Sequence, residues 1–301
     1  MNTLAPIVLF VYKRLYHTKK TVASLLQNDQ SKESELYIFS DGFKSSSDYN
    51  QVNEVRKYIN SITGFKKIDI VERDKNVGLA KSVISGASQI LRKYKKIIVM
   101  EDDLICSRNF LKFMNEALEF YTNNLKVYSV TGYTFPIKFP QPYTSDVYFS
   151  PRPSSWGWGT WRDRWEKVDW QVKDFNEFIK DKEAVLQFNR GGNDLTNMLK
   201  KHMLKKNDSW AITWSYAHFR QKSFCLYPVK SKILNIGNDS SGTHVKRTNK
   251  YQSELDKGET NYYFPDNVIL NDKLLDNFQK FFNKNLIARF YRQLCNIILK
   301  D

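Results

Sequence analysis

Over the first hundred residues, short apolar runs alternate with stretches in which apolar residues recur every three or four positions. The runs lie at 6–12, 35–40, 67–71 and 97–100, and the helical patterns lie at 18–27, 47–59 and 76–91. A continuous apolar run bounded by polar residues is typical of a buried strand, whereas the longer spacing is typical of an amphipathic helix. This order predicts parallel strands joined by right-handed crossovers, which is an α/β fold.

After residue 100 the pattern becomes less regular. A helical pattern covers 109–121, short apolar runs follow at 127–130 and 147–149, and seven tryptophans lie between positions 156 and 214. We expect one domain over residues 1–270, in which a regular half of about 1–125 merges into a less regular half of about 126–270.

The tail, residues 271–301, has a pattern of its own. Bulky apolar residues recur at three- and four-residue steps on one face, and basic residues line the rest (Leu275, Phe278, Phe282, Leu286, Phe290, Leu294 and Ile298; Lys280, Lys284, Arg289 and Arg292). A basic amphipathic helix with aromatic residues is typical of an anchor at a membrane surface. The pattern also fits a helix that packs on the protein's own core, so both alternatives stay open.

The chain has 301 residues and a formal net charge of +15, and the positive excess is concentrated in one stretch. Between residues 200 and 250, eleven Lys or Arg residues stand against two Asp residues. Such a surface attracts phosphates or an anionic membrane, or it is simply solvated. We do not expect nucleic acid as a partner, because no nucleic-acid-binding motif accompanies the charge.

The sequence gives no sign of a membrane span or of secretion. No apolar run approaches the roughly 20 residues that span a bilayer. The apolar stretch at 4–12 is followed by Lys13 and Arg14, whereas a secretory signal has its basic residues first. We therefore expect a cytoplasmic protein. The three cysteines are too widely spaced for a disulfide framework or a zinc site (Cys106, Cys225 and Cys295).

Three consecutive carboxylates, Glu101, Asp102 and Asp103, follow the apolar run at 97–100. Like charges this close repel each other unless something neutralises them. A divalent cation such as Mn²⁺ or Mg²⁺ prefers oxygen ligands and can complete its coordination with phosphates. The carboxyl end of a parallel strand is also where open α/β sheets place ligands. The alternative is an acidic loop in which Asp102 or Asp103 only caps the next helix.

Other residues at predicted strand ends fit an anionic ligand. Arg14 follows the first strand and Asp41 ends the second, while Gly78 and Lys81 open the third helix. A helix N-terminus is itself an anion site, and Asp41-Gly42 is also a common turn pair. Because the chain has neither GxGxxG nor a P-loop motif, a nucleotide diphosphate held through a metal is the more plausible ligand.

Six segments together resemble the GT-A-fold glycosyltransferases: PIVLFVYKR, the Asp41-Gly42 strand end, NVGLAKSV, VMEDD, SSWGWGTWRDRW and NDSSGTHV. The chain is similar to the bacterial family-2-like sugar transferases of surface-polysaccharide clusters. It also resembles the N-acetylglucosaminyltransferase I group, whose metal motif is likewise Glu-Asp-Asp. The resemblance implies a GT-A fold, with a Rossmann-like, mainly parallel donor half and an irregular acceptor half.

The resemblance also implies roles for the residues that follow the predicted strands. Arg14 and Asp41 match positions that hold the nucleoside, with Asp41 facing the uracil edge of a UDP-sugar. Asp103 matches the metal ligand that bridges the diphosphate, and Glu101 and Asp102 match contacts to the ribose and the donor sugar.

In the second half, the resemblance marks Asp208 as the catalytic base, and we expect apolar neighbours to desolvate it and raise its pKa. Asp208 is also a good N-cap for the helix that follows. Trp156 and Gly157 are candidates for a loop on the donor. An aromatic core is the alternative for this segment, and Trp158, Trp161 and Trp165, which recur at helical spacing, are more typical of such a core. His244 could reach the metal or be purely structural.

These features together predict a metal-dependent, inverting glycosyltransferase. Its donor would be a nucleotide sugar, and its acceptor a glycan, including a lipid-linked one at the inner face of an anionic membrane. A nucleotidyltransferase is the first alternative, but it should carry a Gly-rich loop after the first strand, where this chain has Lys13 and Arg14. A non-catalytic carbohydrate- or membrane-binding module is the second, and it gives no reason for Glu101–Asp103.

Overall fold

The computed structural model describes residues 3–237, 239, 249–258 and 261–283. Its strands are β1 Ile7–Val11, β2 Glu35–Ser40, β3 Lys67–Glu72, β4 Lys96–Glu101, β5 Leu104–Cys106, β6 Val127–Thr131, β7 Val147–Ser150, β8 Trp158–Trp161, β9 Phe224–Pro228 and β10 Ile233–Asn235. Its α-helices are α1 Leu15–Leu26, α2 Tyr49–Ile59, α3 Leu79–Leu91, α4 Phe110–Phe120, α5 Arg162–Trp165, α6 Phe175–Phe178, α7 Lys182–Phe188, α8 Leu195–Met203, α9 Trp210–Arg220 and α10 Asp272–Phe282.

Eight strands form one sheet in the order β3-β2-β1-β4-β8-β6-β9-β7. The four strands of the regular half are all parallel, and β1 lies between β2 and β4. The predicted α/β fold is therefore confirmed, and the strand order is consistent with a Rossmann-like GT-A fold. Alternate residues of β1, β2 and β4 are buried under helices on opposite faces of the sheet, as expected of strands covered on both sides. The edge strand β3 is only partly buried.

Strand β8 is the main departure from the sequence pattern. It lies antiparallel between β4 and β6, with Trp158 opposite Val99 and Trp161 opposite Lys96. The helical spacing of these tryptophans does not form a helix here, because a strand sends Trp158 and Trp161 into two different apolar cores. Both side chains are buried, as the core alternative predicts.

The first part of the tail packs on the protein itself. Helix α10 buries its apolar face, and both Phe278 and Phe282 contact Phe135. The guanidinium of Arg152 lies 3.7 Å from the ring of Phe282 and pairs with Asp194. For residues 272–282 the packed-helix alternative is therefore the one observed. The remaining positions of the predicted stripe, from Leu286 onward, lie outside the described residues.

Within the part of the chain that the structure describes, no helix is both long and apolar enough to cross a membrane.

Candidate functional site

The carboxyl ends of the central strands meet at one edge of the sheet. In the strand register, Val11 of β1 is level with Ser40 of β2, and Phe10 is level with Glu101 of β4. The residues that follow these strands are therefore neighbours, as predicted from the parallel order. They include Arg14, Asp41 and the acidic motif Glu101–Asp103.

Arg14 bridges two of the three carboxylates. Its Nη2 atom donates to Oδ1 of Asp102 and, at 2.8 Å, to Oδ2 of Asp103. Asp102 is buried, and the two side chains leave only 7% and 15% of their surfaces exposed. The Nη1 atom of Arg14 is also buried and has no hydrogen-bond partner. The Nη2 end of the guanidinium is therefore hydrogen-bonded to the acidic motif, whereas the Nη1 end is not.

The backbone of the motif is held from two sides. The Thr21 hydroxyl on α1 donates to the carbonyl of Asp102 at 2.9 Å, and Ile236 N–H donates to the carbonyl of Asp103 at 2.9 Å. Strand β10 pairs with β5 and carries the chain on to Gly237. A Cβ atom on Gly237 would lie 2.1 Å from Oδ2 of Asp103, so a side chain here would force this carboxylate to move.

Neither Thr21 nor Gly237 was identified from the sequence. Their roles depend on pairings between distant segments, for which the local pattern gives no signal.

The acidic motif carries more negative charge than Arg14 can neutralise. Poor solvation and the two neighbouring carboxylates raise the pKa of Glu101 to about 8. Burial raises the pKa of Asp102 to about 6, although Arg14 opposes this shift. Burial disfavours the charge of Arg14, but Asp102 and Asp103 together raise its pKa above the ordinary value. An additional cation at this edge would therefore be stabilised.

The carboxylates fit a divalent cation that takes its other ligands from a bound molecule. Oxygens of Asp102 and Asp103 converge on a single cationic nitrogen, so they can converge on a metal ion as well. Among the described residues, no group of three or more His, Cys, Asp and Glu side chains is arranged to hold a metal. A magnesium site built from one or two carboxylates, water and substrate phosphates needs no larger group.

Asp41 is buried and holds the loop between β3 and α3. Its carboxylate accepts hydrogen bonds from the N–H groups of Val77 at 3.0 and 3.2 Å and of Gly78 at 3.1 Å. Gly78 has φ of +81° and begins α3, and a Cβ atom there would meet nothing within 4 Å. Lys81 is exposed in the first turn of this helix. The structure thus brings Asp41 and Gly78 together beside open space, and the predicted nucleoside contacts stay predictions.

Trp156 and Gly157 are packed rather than free to cover a ligand. The Trp156 ring is half-buried between Tyr133 and Tyr251, with ring centroids at 4.6 and 5.9 Å. A Cβ atom on Gly157 would lie 2.6 Å from two side-chain atoms of Ile233, so this glycine permits close packing against β10. These contacts agree with the aromatic-core alternative and give a structural reason for both residues.

Asp208 precedes α9, which begins at Trp210. The ring of Trp210 is tilted against that of Trp158 with centroids 5.2 Å apart, and Trp158 pairs with Val99 two positions before Glu101. The Asp208 side chain is exposed, so the expected desolvation is wrong. It is not the N-cap either, because Ser209 occupies that position and makes no side-chain cap bond. Its role as a base stays a prediction.

The far end of α9 is fixed by a neutral histidine. Nδ1–H of His218 donates to the carbonyl of Trp214 at 2.9 Å, and Nε2 accepts from Ser129 of β6 at 2.7 Å. Burial lowers the pKa of His218 to about 3, so the ring is uncharged at neutral pH. The direction of α9, and with it the position of Asp208, is therefore set by the sheet.

His244 lies outside the described residues. Asp239, within the NDSSGTHV segment, pairs with His17 of α1 at 3.2 Å between Oδ2 and Nε2. This contact places Asp239 beside the helix that follows Arg14. His17 had no distinguishing context in the sequence.

No protein-family model and no curated protein matches this chain. Among solved structures, it is similar to the mannosyltransferase PcManGT from Pyrobaculum calidifontis in complex with GDP-Man and Mn²⁺, at 11% identity and a TM-score of 0.40, covering 72% of this chain and 70% of that one. It is also similar to S. aureus TarS, at 12% identity and a TM-score of 0.38, covering 76% of this chain. The matched region spans only 36% of TarS. Similarity at this level is too low to assign an activity or a ligand.

Proposed function

We propose that this chain is a metal-dependent, inverting glycosyltransferase that transfers a sugar from a nucleotide-diphosphate donor to a glycan acceptor. The observation that carries the proposal is the convergence, at the carboxyl edge of the parallel strands, of Arg14, the loop held by Asp41 and the motif Glu101–Asp103. An edge that combines converging carboxylates, a guanidinium nitrogen without a hydrogen-bond partner among the described residues and the exposed Lys81 in the first turn of α3 suits a nucleotide diphosphate bound with a cation.

In this proposal Asp103 and Asp102 hold the cation, Mn²⁺ or Mg²⁺. When bound, the metal would neutralise the diphosphate as the sugar leaves. The chain's own contribution is to orient the donor: Arg14 supplies a guanidinium for phosphate oxygens, and Asp41 fixes the loop that precedes α3. UDP as the nucleotide rests on the resemblance of the Asp41 segment alone.

Asp208 is the proposed base that takes the proton from the acceptor hydroxyl. Two observations support this role: Trp210, two residues further on, contacts Trp158, which pairs with β4 two positions before Glu101, and the Asp208 side chain is exposed and accessible to an acceptor. A single base acting in a direct displacement inverts the anomeric configuration. Inversion therefore follows from the proposed role of Asp208.

The acceptor side of the proposal rests on charge. Four lysines in the last turn of α8 and the segment that follows it are exposed (Lys200, Lys201, Lys205 and Lys206), and Leu204 between them is 64% exposed. An exposed basic surface with an apolar tip attracts anionic headgroups or a phosphate-bearing acceptor. We therefore propose a lipid-linked glycan in cell-surface polysaccharide biosynthesis, met at the cytoplasmic face of a membrane.

The decisive experiment incubates the protein with a panel of nucleotide sugars and Mn²⁺ and follows their slow hydrolysis together with thermal stability. We expect UDP to stabilise the wild type only with Mn²⁺ or Mg²⁺, by about 2.7 kcal/mol at a hundredfold excess over Kd. Asp103→Asn should lose this stabilisation while its melting temperature without ligand is preserved. Glu116→Gln, which changes a carboxylate on α4 paired with Lys112, is the control and should behave as wild type. Equal stabilisation by UDP in EDTA would refute the metal role, and no response to any nucleotide sugar would refute the function.

A further inference from the structure

Arg14 occupies the position that a cation would need. One oxygen of Asp102 and one oxygen of Asp103 both accept a hydrogen bond from its Nη2 atom. A divalent cation bound by the same two oxygens at about 2.1 Å cannot coexist with a nitrogen 2.8 Å from Asp103. Two positive charges this close would also repel each other in a poorly solvated site. Metal binding therefore requires Arg14 to release at least Asp103.

Among the described residues, the free end of the Arg14 guanidinium has no hydrogen-bond partner. Its Nη1 atom is buried without a hydrogen bond and would lie 3.0 Å from a Cβ atom on Gly237. A buried, unpaired N–H group is costly, so any acceptor that reaches it is favoured. A diphosphate presents pairs of non-bridging oxygens that can each accept two N–H groups of a guanidinium, and such bidentate pairs are among the strongest hydrogen bonds in proteins.

We propose that Arg14 is an exchangeable internal cation: it neutralises Asp102 and Asp103 until a nucleotide diphosphate draws its guanidinium away, and only then does the divalent metal bind tightly. This inference rests on the proposed function and adds an order of binding: the nucleotide diphosphate comes before tight metal binding. The metal alone binds weakly because it must displace the Arg14 guanidinium from Asp103 while no other acceptor is bound to receive it. The diphosphate and the metal each raise the affinity of the other by the same factor, as linked binding requires.

The test measures Mn²⁺ affinity directly, from the electron paramagnetic resonance signal of the free ion, with and without UDP. Wild type should bind Mn²⁺ at least tenfold more tightly in the presence of UDP. Arg14→Gln, which removes the charge, should bind Mn²⁺ alone at least tenfold more tightly than wild type, and its gain from UDP should be smaller. Arg220→Gln, which changes an exposed arginine paired with Asp174, should leave all affinities unchanged.

The outcomes separate this inference from the proposed function. If wild type binds Mn²⁺ with UDP but Arg14→Gln binds Mn²⁺ alone no more tightly than wild type does, the exchange is wrong and the function stands. If no protein binds Mn²⁺ or UDP, both fail together.

Arg14→Gln leaves buried carboxylates unpaired, so its fold is checked by circular dichroism, and Arg14→Lys provides a second variant. The ammonium of lysine cannot form the same planar fork, and it should be displaced more easily. Its Mn²⁺ affinity without UDP should lie between those of wild type and Arg14→Gln, or above wild type if the glutamine variant does not fold. A lysine variant that binds Mn²⁺ no more tightly than wild type would also overturn the exchange.

Discussion

At the scale of single residues, Asp41 shows how a buried carboxylate shapes a ligand edge through the backbone. Its two oxygens accept hydrogen bonds from the N–H groups of Val77 and Gly78, and one of them also accepts from the N–H of Gly42. Hydrogen bonds to a charged acceptor each contribute about 1.5–3 kcal/mol. The loop before α3 therefore depends on Asp41 whether or not a nucleoside is bound.

We predict that Asp41→Asn lowers the free energy of unfolding by about 1–3 kcal/mol in the absence of any ligand, because the asparagine amide cannot accept as many N–H donors as the carboxylate. The measurement is urea unfolding of the ligand-free protein. Asp69→Asn, which removes a partly exposed carboxylate paired with Lys67, should change the stability by no more than about 0.5 kcal/mol. Unchanged ligand-free stability in Asp41→Asn would contradict the loop-holding role.

At the scale of elements, the regular half is predictable because its signals are local. The apolar runs at 35–40 and 67–71 become β2 and β3 within one residue at each end. The pattern at 109–121 becomes α4, Phe110–Phe120. Each of these segments is buried on one or both faces by its immediate neighbours in the fold, so its periodicity reports its environment.

Strands β5, β8 and β10 are not predictable in the same way. They have only three or four residues each, and their partners lie far away in sequence, such as Cys106 with Ile233 and Val99 with Trp158. A short strand gains most of its stability from such pairing rather than from its own residues. The position of Gly237 beside Asp103 follows from the β5–β10 pair and was unforeseeable for the same reason.

The burial of Asp208 was predicted wrongly because it was inferred from neighbours in the sequence. Its sequence neighbours Trp210 and Trp214 are buried, but they lie within α9 and face the core, whereas Asp208 precedes the helix and faces solvent. Proximity in sequence to apolar residues does not imply burial at a helix start.

We predict that Asp208→Asn keeps its affinity for UDP and Mn²⁺ but loses sugar transfer by about 10²-fold or more, the scale of lost general-base assistance. Transfer is measured with the donor identified from the nucleotide-sugar panel, and the anomeric configuration of the product is assigned by NMR. Asp276→Asn, at an exposed position on α10, is the control and should transfer normally. A product that retains its configuration would argue against direct displacement, and full activity in Asp208→Asn would remove this residue from the mechanism.

At the scale of the whole molecule, the packing of α10 changes where a membrane could be met. The apolar face of residues 272–282 is buried in the core, so it is not available to lipid. Exposed positive charge remains available on the lysines around Leu204, which precede Asp208 in the sequence. The sequence could show the charge and the amphipathic stripe, but not which part of the stripe the core would bury.

We predict that the protein binds anionic vesicles through two contributions, the basic segment before α9 and the sequence after residue 283. Each lysine near an anionic surface contributes about 1 kcal/mol, so replacing Lys200, Lys201, Lys205 and Lys206 with Gln should reduce co-sedimentation strongly. Ending the chain at residue 283 should reduce it further while preserving thermal stability, because α10 is retained. Ending it at residue 271 should destabilise the protein by removing the buried Phe278.

The matched control replaces the same four lysines with Arg, which keeps their charge and should keep the binding. Vesicles of neutral lipid should bind none of the proteins, and added salt should weaken binding to anionic vesicles as the Debye length shortens. If the full chain does not co-sediment with anionic vesicles at low salt, the lysines are a solvated surface. The acceptor would then have to reach Asp208 from solution, and a soluble glycan would replace the lipid-linked one.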